Sequence, residues 1–136
     1  MAAKNLITVE SDNSLSFGDY TLPQKSKVED FPYEGNLMKV KTFNEITKLE
    51  KNGMFVYESV PGTSVYGFAE HADGVEFSVE GGADEDAQIT VGLEDETEYE
   101  IFVDDASVGK VKTNLGGKLN FSLDLSGGKK KVVIKK

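Results

Sequence analysis

The chain alternates apolar and polar positions over short runs, and turn-forming residues separate these runs. A period of two is typical of half-buried β-strands, and breaks of this kind are typical of antiparallel sheets. The clearest alternation occurs at Ile89, Val91 and Leu93, at Tyr99, Ile101 and Val103, and at Leu119, Phe121 and Leu123. The breaks fall at residues 61–62, 72–74, 81–82, 104–105, 114–117 and 126–128. The pattern therefore predicts a mainly β protein.

One hairpin in this pattern has a register that can be stated. If residues 104–106 form its loop, Tyr99 lies opposite Val111 and Ile101 opposite Gly109 on the inner face. Glu100 then meets Lys110, and Glu98 meets Lys112, on the outer face. Opposite charges across a ladder contribute only about 0.2 to 1 kcal/mol each, but they oppose a slipped register.

The first half is less regular. Residues 6–9, 15–17, 38–42 and 54–60 are strand candidates. Residues 42–53 leave two interpretations open. Thr42 and Glu45 have the spacing of a capping box, which favours a helix that ends at Asn52-Gly53. The same Asn-Gly pair is a strong hairpin signal, which would join two strands instead.

The order of elements predicts two regions. Residues 1–62 form a small β-rich or α+β N-terminal part, and residues 63–136 form an antiparallel Ig-like or fibronectin-like β-sandwich. A single continuous domain remains the alternative.

A resemblance supports the sandwich. Leu93, Thr97 and Tyr99 stand where the corner between two strands of fibronectin type III and related Ig-like modules has its Leu, Thr and Tyr. Asp95 occupies the position at which the family usually has Pro. The resemblance implies a buried Tyr99 whose hydroxyl bonds to the backbone. Residues 108–128 are also similar to accessory β-sandwich ends of bacterial polysaccharide-acting enzymes.

The whole chain resembles short bacterial proteins described as endosialidase-like. The shared sequence segments are G-M-F-V-Y-E-S-V-P-G-T and K-T-N-L-G-G-K. Because the chain has no Arg with which to hold a sialate carboxylate, the resemblance implies an accessory role near glycans rather than catalysis.

Composition and charge exclude several classes of chemistry and of binding partner. There is no Cys, which removes disulfides and thiol chemistry. Fifteen of the 24 acidic residues lie between Lys51 and Lys110, and all fifteen Lys lie at or outside these two positions. An acidic middle argues against nucleic acid as a partner. The basic C-terminal cluster, residues 129–136, is predicted to be a solvated edge strand. A basic patch is the alternative.

The N-terminus lacks an apolar run, so no signal peptide is predicted, and no segment is apolar enough to insert into a membrane. The expectation is a protein that is cytoplasmic as synthesised, and that could be particle-associated or released.

Candidate chemistry is sparse, and no catalytic residue or cofactor is predicted. Four carboxylates could bind calcium if two loops converge, although the D-x-D-x-D-G pattern is missing. Four tyrosines could contact a ligand such as a glycan. The calcium candidates are Asp84, Asp86, Asp104 and Asp105, and the binding candidates are Tyr20, Tyr33, Tyr57 and Tyr66. His71 is expected to be a turn residue, and the Glu94 and Glu96 pair to be structural surface.

Three functional hypotheses remain. The first is a non-catalytic structural or binding module, an accessory to a glycan-interacting surface assembly. The second is a head, tail or decoration component of a phage or phage-like particle, in which copies self-associate through opposite charges. An unrecognised hydrolase is the third.

Overall fold

The computed structural model of the chain describes residues 6–82 and 85–136. These residues form two antiparallel sheets and no helix, so the prediction of a mainly β fold is confirmed. The strands are β1 (Ile7–Val9), β2 (Leu15–Phe17), β3 (Ser26–Tyr33), β4 (Asn36–Thr42), β5 (Thr47–Lys51), β6 (Met54–Val60), β7 (Thr63–His71), β8 (Gly74–Gly81), β9 (Ala87–Gly92), β10 (Glu98–Val103), β11 (Ala106–Lys112), β12 (Lys118–Leu123) and β13 (Lys130–Lys135).

Both sheets contain strands from both halves of the chain. The seven-stranded sheet has the order β1-β2-β7-β8-β13-β10-β11, and the six-stranded sheet has the order β12-β9-β6-β5-β4-β3. The ladders β2–β7 and β6–β9 therefore join strands on either side of residue 62. The boundary predicted there does not separate two hydrogen-bonded units, and the buried apolar residues form one cluster.

The segment 43–53 contains a hairpin and no helix. Phe43 N–H bonds to the Ile46 carbonyl in a tight turn, after which β5 begins. Asn52 (φ 51°) and Gly53 (φ 80°) then make the two-residue turn into β6. Positive φ at both central positions suits the twist of a hairpin, and Asn-Gly adopts it at low cost. Of the two interpretations that the sequence left open, the hairpin is the one observed.

The register predicted for the β10–β11 hairpin is confirmed. Glu98 lies opposite Lys112, Tyr99 opposite Val111, Glu100 opposite Lys110, and Ile101 opposite Gly109. The loop differs from the prediction. It has two residues, Asp104 and Asp105, both with positive φ, and a bulge at Val108, between Ser107 and Gly109, absorbs the remaining residue.

Tyr99 closes the corner before β10. Tyr99 is 2% exposed, and its hydroxyl accepts a hydrogen bond from Glu94 N–H at 3.2 Å. Thr113 fixes the other side of the corner, because its hydroxyl donates to the Glu94 carbonyl at 2.5 Å and accepts from Thr97 N–H at 2.9 Å. The corner is thus closed by two side chains, one on β10 and one directly after the end of β11.

The prediction that the C-terminal basic cluster forms an edge strand is wrong. β13 lies inside the seven-stranded sheet and pairs with β8 on one side and β10 on the other. Val132 and Ile134 face the core with no exposed surface, while Lys131 and Lys135 point outward. The sequence rule for edge strands failed because alternating lysines also suit the solvent face of a central strand.

Tyr57 on β6 joins the two sheets. Its ring makes edge-to-face contacts with Phe17 on β2 (centroids 5.4 Å apart), Phe77 on β8 (5.7 Å) and Phe68 on β7 (6.5 Å). Such pairs contribute about 0.5 to 1.5 kcal/mol each beyond their buried area. Strand β6 of the six-stranded sheet therefore packs over strands β2, β7 and β8 of the seven-stranded sheet.

Buried hydroxyls link the sheets at one end of the sandwich. Thr47 Oγ1 donates to the Thr63 carbonyl at 2.7 Å and accepts Thr63 N–H at 3.0 Å. The one hydroxyl proton of Thr47 is used in the bond to the Thr63 carbonyl. Thr42 Oγ1 lies 2.8 Å from Thr47 Oγ1, so Thr42 must be the donor in the bond between these two hydroxyls. Thr63 Oγ1 also bonds to Tyr57 OH at 2.8 Å and to Ser59 Oγ at 2.7 Å. The chain of hydroxyls ties β4, β5 and β6 to β7.

Substitution Tyr57→Phe tests this linkage. The ring contacts remain and one buried hydrogen bond is lost, so we expect the free energy of unfolding at pH 7 to fall by about 1 kcal/mol. Denaturant unfolding measures the change.

The difference in the free energy of unfolding between the unmodified protein and Tyr57→Phe should depend on pH. Burial raises the pKa of Tyr57 to about 12, above the value of about 10 in an unfolded chain. The folded state therefore favours the protonated hydroxyl. This stabilisation is complete below pH 10 and is lost as the pH rises towards 12. The advantage of the unmodified protein over Tyr57→Phe should shrink across that range, and a constant difference would contradict the assignment.

Candidate functional site

The structure separates the four predicted tyrosines. Tyr57 has no exposed surface, because its ring lies inside the core. The prediction that Tyr57 contacts a ligand is therefore wrong. Tyr33 lies at the end of β3 beside a separate cleft. Tyr20 and Tyr66 are linked through Ser64, whose hydroxyl accepts Tyr20 N–H and which stands two residues before Tyr66 on β7. We call Tyr20, Ser64, Tyr66, Glu80 and Lys129 the tyrosine surface.

Tyr66 is the centre of the tyrosine surface. Its hydroxyl donates to Glu80 Oε2 at 2.8 Å, and Lys129 Nζ lies 4.1 Å from the centre of its ring. Burial raises the pKa of Tyr66 to about 12, and the hydrogen bond to Glu80 and the charge of that carboxylate act in the same direction. The phenol therefore stays protonated and acts as a hydrogen-bond donor at neutral pH.

A cavity of about 290 Å³ opens beside Tyr20. Its size is at the lower limit of small-molecule sites. Tyr20 N–H donates to Ser64 Oγ at 3.4 Å, which holds the start of the β2–β3 connection against β7. The cavity is lined by Tyr20, Asn44, Pro61, Gly62, Gly82 and Glu85.

Gly62 lets two backbone segments approach at the floor of this cavity. Its N–H donates to the Asn44 carbonyl at 3.0 Å. A Cβ at Gly62 would lie 2.0 Å from the Phe43 carbonyl oxygen, which is closer than any real contact. The cavity therefore depends on a glycine at this position.

Asp19, next to Tyr20, is buried although it carries a carboxylate. It is 2% exposed, and its Oδ1 accepts Thr21 N–H at 3.0 Å and the Thr21 hydroxyl at 2.5 Å. Among the residues that the structure describes, Asp19 Oδ2 is the buried side-chain oxygen without a hydrogen-bond partner. Asp19 N–H donates to Thr42 Oγ1 at 2.9 Å, so the backbone of Asp19 bonds to the end of the buried hydroxyl chain.

A second cleft, of about 180 Å³, contains Tyr33. Tyr33 OH donates to the Asn13 carbonyl at 2.7 Å, and Asn13 Nδ2 donates to Glu34. Burial raises the pKa of Tyr33, and the charges of Glu34, Glu70 and Asp12 add to this. Hydrogen bonds from Ser14 lower the pKa of Asp12. The cleft is acidic and has an apolar floor, but its polar groups bond mainly to one another.

The three calcium candidates that the structure describes do not converge. Asp86 precedes β9 in the six-stranded sheet, whereas Asp104 and Asp105 form the β10–β11 turn of the other sheet. Asp104 Oδ1 accepts Lys131 N–H at 2.9 Å, so this carboxylate caps the start of β13. Asp84 lies outside the described residues. Within residues 6–82 and 85–136, no three acidic or histidine side chains are placed to hold a metal ion.

The remaining candidates are engaged on the surface. His71 ends β7, and its Nε2 lies 3.0 Å from Glu76 Oε1. Glu94 Oε2 bonds to Lys136 Nζ at 2.9 Å, which raises the pKa of Lys136. Glu96 is exposed in the corner turn. Nothing in these contacts brings an acid and a base to one reacting position.

Sequence patterns missed Glu80 and Lys129. In an unbroken β7–β8 hairpin, the register from His71↔Gly74 would place Val79 opposite Tyr66. The register instead shifts between Tyr66 and Ala69, where Gly67 has φ 65°. This bulge sets Ser78 opposite Tyr66 and brings Glu80 within reach of its hydroxyl. A glycine inside a strand is the one signal that indicated a bulge.

Comparison of the chain with known protein families, with curated proteins and with solved structures finds no match. In the part of the chain that the structure describes, there is no helix long and apolar enough to cross a membrane.

Substitution Gly62→Ala tests the close approach at the cavity floor. The new Cβ would push against the Phe43 carbonyl, and overpacking of this kind costs about 1 to 3 kcal/mol. Gly82→Ala is the matched control, because a Cβ at Gly82 meets nothing within 4 Å. We expect thermal unfolding to show a lower midpoint for the first variant and little change for the second. Equal midpoints would contradict the geometry of the cavity.

Proposed function

We propose that the chain is a non-catalytic binding module that binds glycans through the tyrosine surface, as an accessory to a glycan-interacting surface assembly. The observation that carries this proposal is that Tyr20 lines a cavity of about 290 Å³ and that its N–H bonds to Ser64, two residues before Tyr66 on β7. Aromatic rings offer an apolar face with a polar tip, which suits the mixed surface of a sugar.

Polar groups around the rings suit sugar hydroxyls. Glu80 accepts a hydrogen bond from Tyr66 through Oε2, and an ionised carboxylate has capacity for several more donors. Asn44 and Glu85 line the cavity and add an amide and a second carboxylate. A few polar groups that converge on an apolar cavity are typical of ligand sites.

Lys129 covers the ring of Tyr66 without blocking it permanently. Lys129 is exposed, and its contact with the ring is a cation–π interaction at the surface. Such a contact is worth about 0.5 to 1 kcal/mol at exposed sites. A sugar that stacks on the ring needs to displace only this flexible side chain.

Glycan binding can be tested by an array followed by titration calorimetry. A glycan that binds the unmodified protein should bind Tyr20→Ala and Tyr66→Ala at least about fivefold more weakly, because truncating a contact aromatic typically costs more than about 1 kcal/mol. Phe102→Ala is the matched control. It removes a half-buried ring that also lies under a lysine, Lys135, on the same sheet. An array without binding, or binding that survives both tyrosine substitutions, would refute the proposal.

A second candidate function is a structural component of a phage or phage-like particle. The observation that favours it is a row of lysines across the six-stranded sheet, where Lys27 lies opposite Lys41 and Lys41 opposite Lys48. Like charges placed directly opposite each other repel. Lys27 and Lys48 contact Glu29 and Glu50 on their own strands, while Lys41 has no ion pair among the described residues. An acidic surface of another copy would neutralise this row.

This candidate predicts self-association that salt weakens. Sedimentation at about 0.02 M and about 0.5 M salt should show larger species only at the lower concentration, because ions screen exposed charges. Lys41→Glu should reduce the association, and Lys131→Glu on the other sheet, which changes the net charge equally, should reduce it less. A monomer at both salt concentrations would remove the candidate.

A further inference from the structure

The cleft of about 180 Å³ lies between the two sheets at one end of the sandwich. Leu15 and Phe68 of the seven-stranded sheet line it from one side, and Met38 and Val56 of the six-stranded sheet line it from the other. All four side chains belong to the core and are at most 5% exposed. We call the space between these four residues and Tyr33 the Tyr33 cleft.

The apolar floor of the Tyr33 cleft suits a small apolar group. A cavity of about 150 Å³ lined by Leu, Ile and Phe side chains binds benzene, and the Tyr33 cleft has a similar volume. Met38 contributes a flexible and polarisable side chain, which adapts to the shape of what it contacts. The apolar part of a ligand can therefore be as large as about one aromatic ring.

Three carboxylates form the rim of the Tyr33 cleft. They belong to Asp12, Glu34 and Glu70, which are exposed. Their bonds to other side chains use Asp12 Oδ1, Glu34 Oε2 and Glu70 Oε1. The second oxygen of each carboxylate has no hydrogen-bond partner among residues 6–82 and 85–136, so it can accept a bond from a ligand.

The charge of the rim is only partly neutralised by the protein. Lys51 Nζ lies 2.6 Å from Glu70 Oε1. Asp12 and Glu34 bond instead to neutral side chains. A net negative charge therefore remains at the rim, and the ligand that complements it is a cation.

The order of apolar floor and acidic rim decides which kind of cation fits. A lysine side chain would enter with its ammonium first and bring the charge to the apolar floor, where it would lose its hydration. A quaternary ammonium has no N–H and is recognised by a cage of aromatic rings, whereas Tyr33 is the one aromatic side chain at the rim. A primary ammonium at the end of an apolar group offers three donors to the carboxylates.

We propose that the Tyr33 cleft binds a small primary amine, with its apolar group on the floor between the sheets and its ammonium at the three carboxylates. Two sources share this chemistry: a free amine, and a peptide N-terminus whose first side chain is apolar. The proposal does not depend on glycan binding, because the Tyr33 cleft and the tyrosine surface have no residue in common.

Benzylamine is the probe, and NMR of carbon-13-labelled Met methyl groups in the full chain measures its binding. Met38 lies on the floor of the cleft, whereas Met54 is 72% exposed and lies outside it. At pH 7, benzylamine should shift the Met38 signal with a Kd on the order of 1 mM and leave the Met54 signal unchanged.

Two analogues separate the contribution of the ammonium from that of the ring. Benzyl alcohol has a similar shape without the charge, and benzyltrimethylammonium has the charge without an N–H. Each should bind at least about tenfold more weakly than benzylamine, because neither can make charge-assisted hydrogen bonds to the carboxylates.

Substitution Glu34→Gln tests the charge at the rim. The amide oxygen can still accept from Asn13, but one negative charge is lost, so benzylamine should bind about threefold more weakly. Glu96→Gln is the matched control, because it changes the net charge equally at an exposed turn outside the cleft. Its affinity for benzylamine should equal that of the unmodified protein.

The peptide Phe-Gly-Gly, whose free amine stands next to an apolar ring, distinguishes the two sources. Binding of both probes would support a site that accepts N-termini, and binding of benzylamine alone would support a site for free amines. The proposal would be overturned by an unchanged Met38 signal at about 20 mM benzylamine, by equal binding of either analogue, or by equal affinities of Glu34→Gln and Glu96→Gln.

Discussion

The rest of the structure depends on the insertion of β13 between β8 and β10. Val132 and Ile134 on this strand are fully buried, and its two ladders are the hydrogen-bonded link between the β10–β11 hairpin and the other strands of its sheet. Without β13, the β10–β11 hairpin would have no backbone ladder to the other strands of its sheet. A sheet that is completed by the last strand relies on contacts distant in sequence, which is expected to make folding slow.

Local features could be predicted from the sequence, and distant ones could not. The β10–β11 register was predictable because the alternation and the cross-strand charges at Glu98 and Glu100 agree on one pairing. The Asn52-Gly53 turn was present in the sequence, but a capping pattern of similar strength competed with it. The position of β13 was not predictable, because its lysines face solvent in the same way on an edge strand and on a central strand. Only the tertiary neighbours, β8 and β10, distinguish these two cases.

The candidate site, too, could be predicted from the sequence only in part. The sequence marked Tyr57 and Tyr66 as equal candidates, and both lie in strands with dense apolar residues. A register shift in each strand's ladder decides which ring is buried. Val56 and Tyr57 are both buried next to the shift on β6, while the shift at Gly67 leaves Tyr66 on the outer face beside Glu80. Bulges change the facing of every residue beyond them, and the alternation pattern does not locate them reliably.

Part of the uneven charge of the sequence is paired inside one molecule. Glu100 lies opposite both Lys110 and Lys135, and Lys51 contacts Glu70 at 2.6 Å. The acidic middle and the basic flanks are therefore partners within the fold, and their separation along the chain is not by itself an argument for association between copies. Two features on the outer faces of the sheets remain for other molecules. One is the ring of Tyr66 beside the seven-stranded sheet, whose contacts with Lys129 and Glu80 are at the surface. The other is the lysine row across the six-stranded sheet, where Lys41 lies between Lys27 and Lys48.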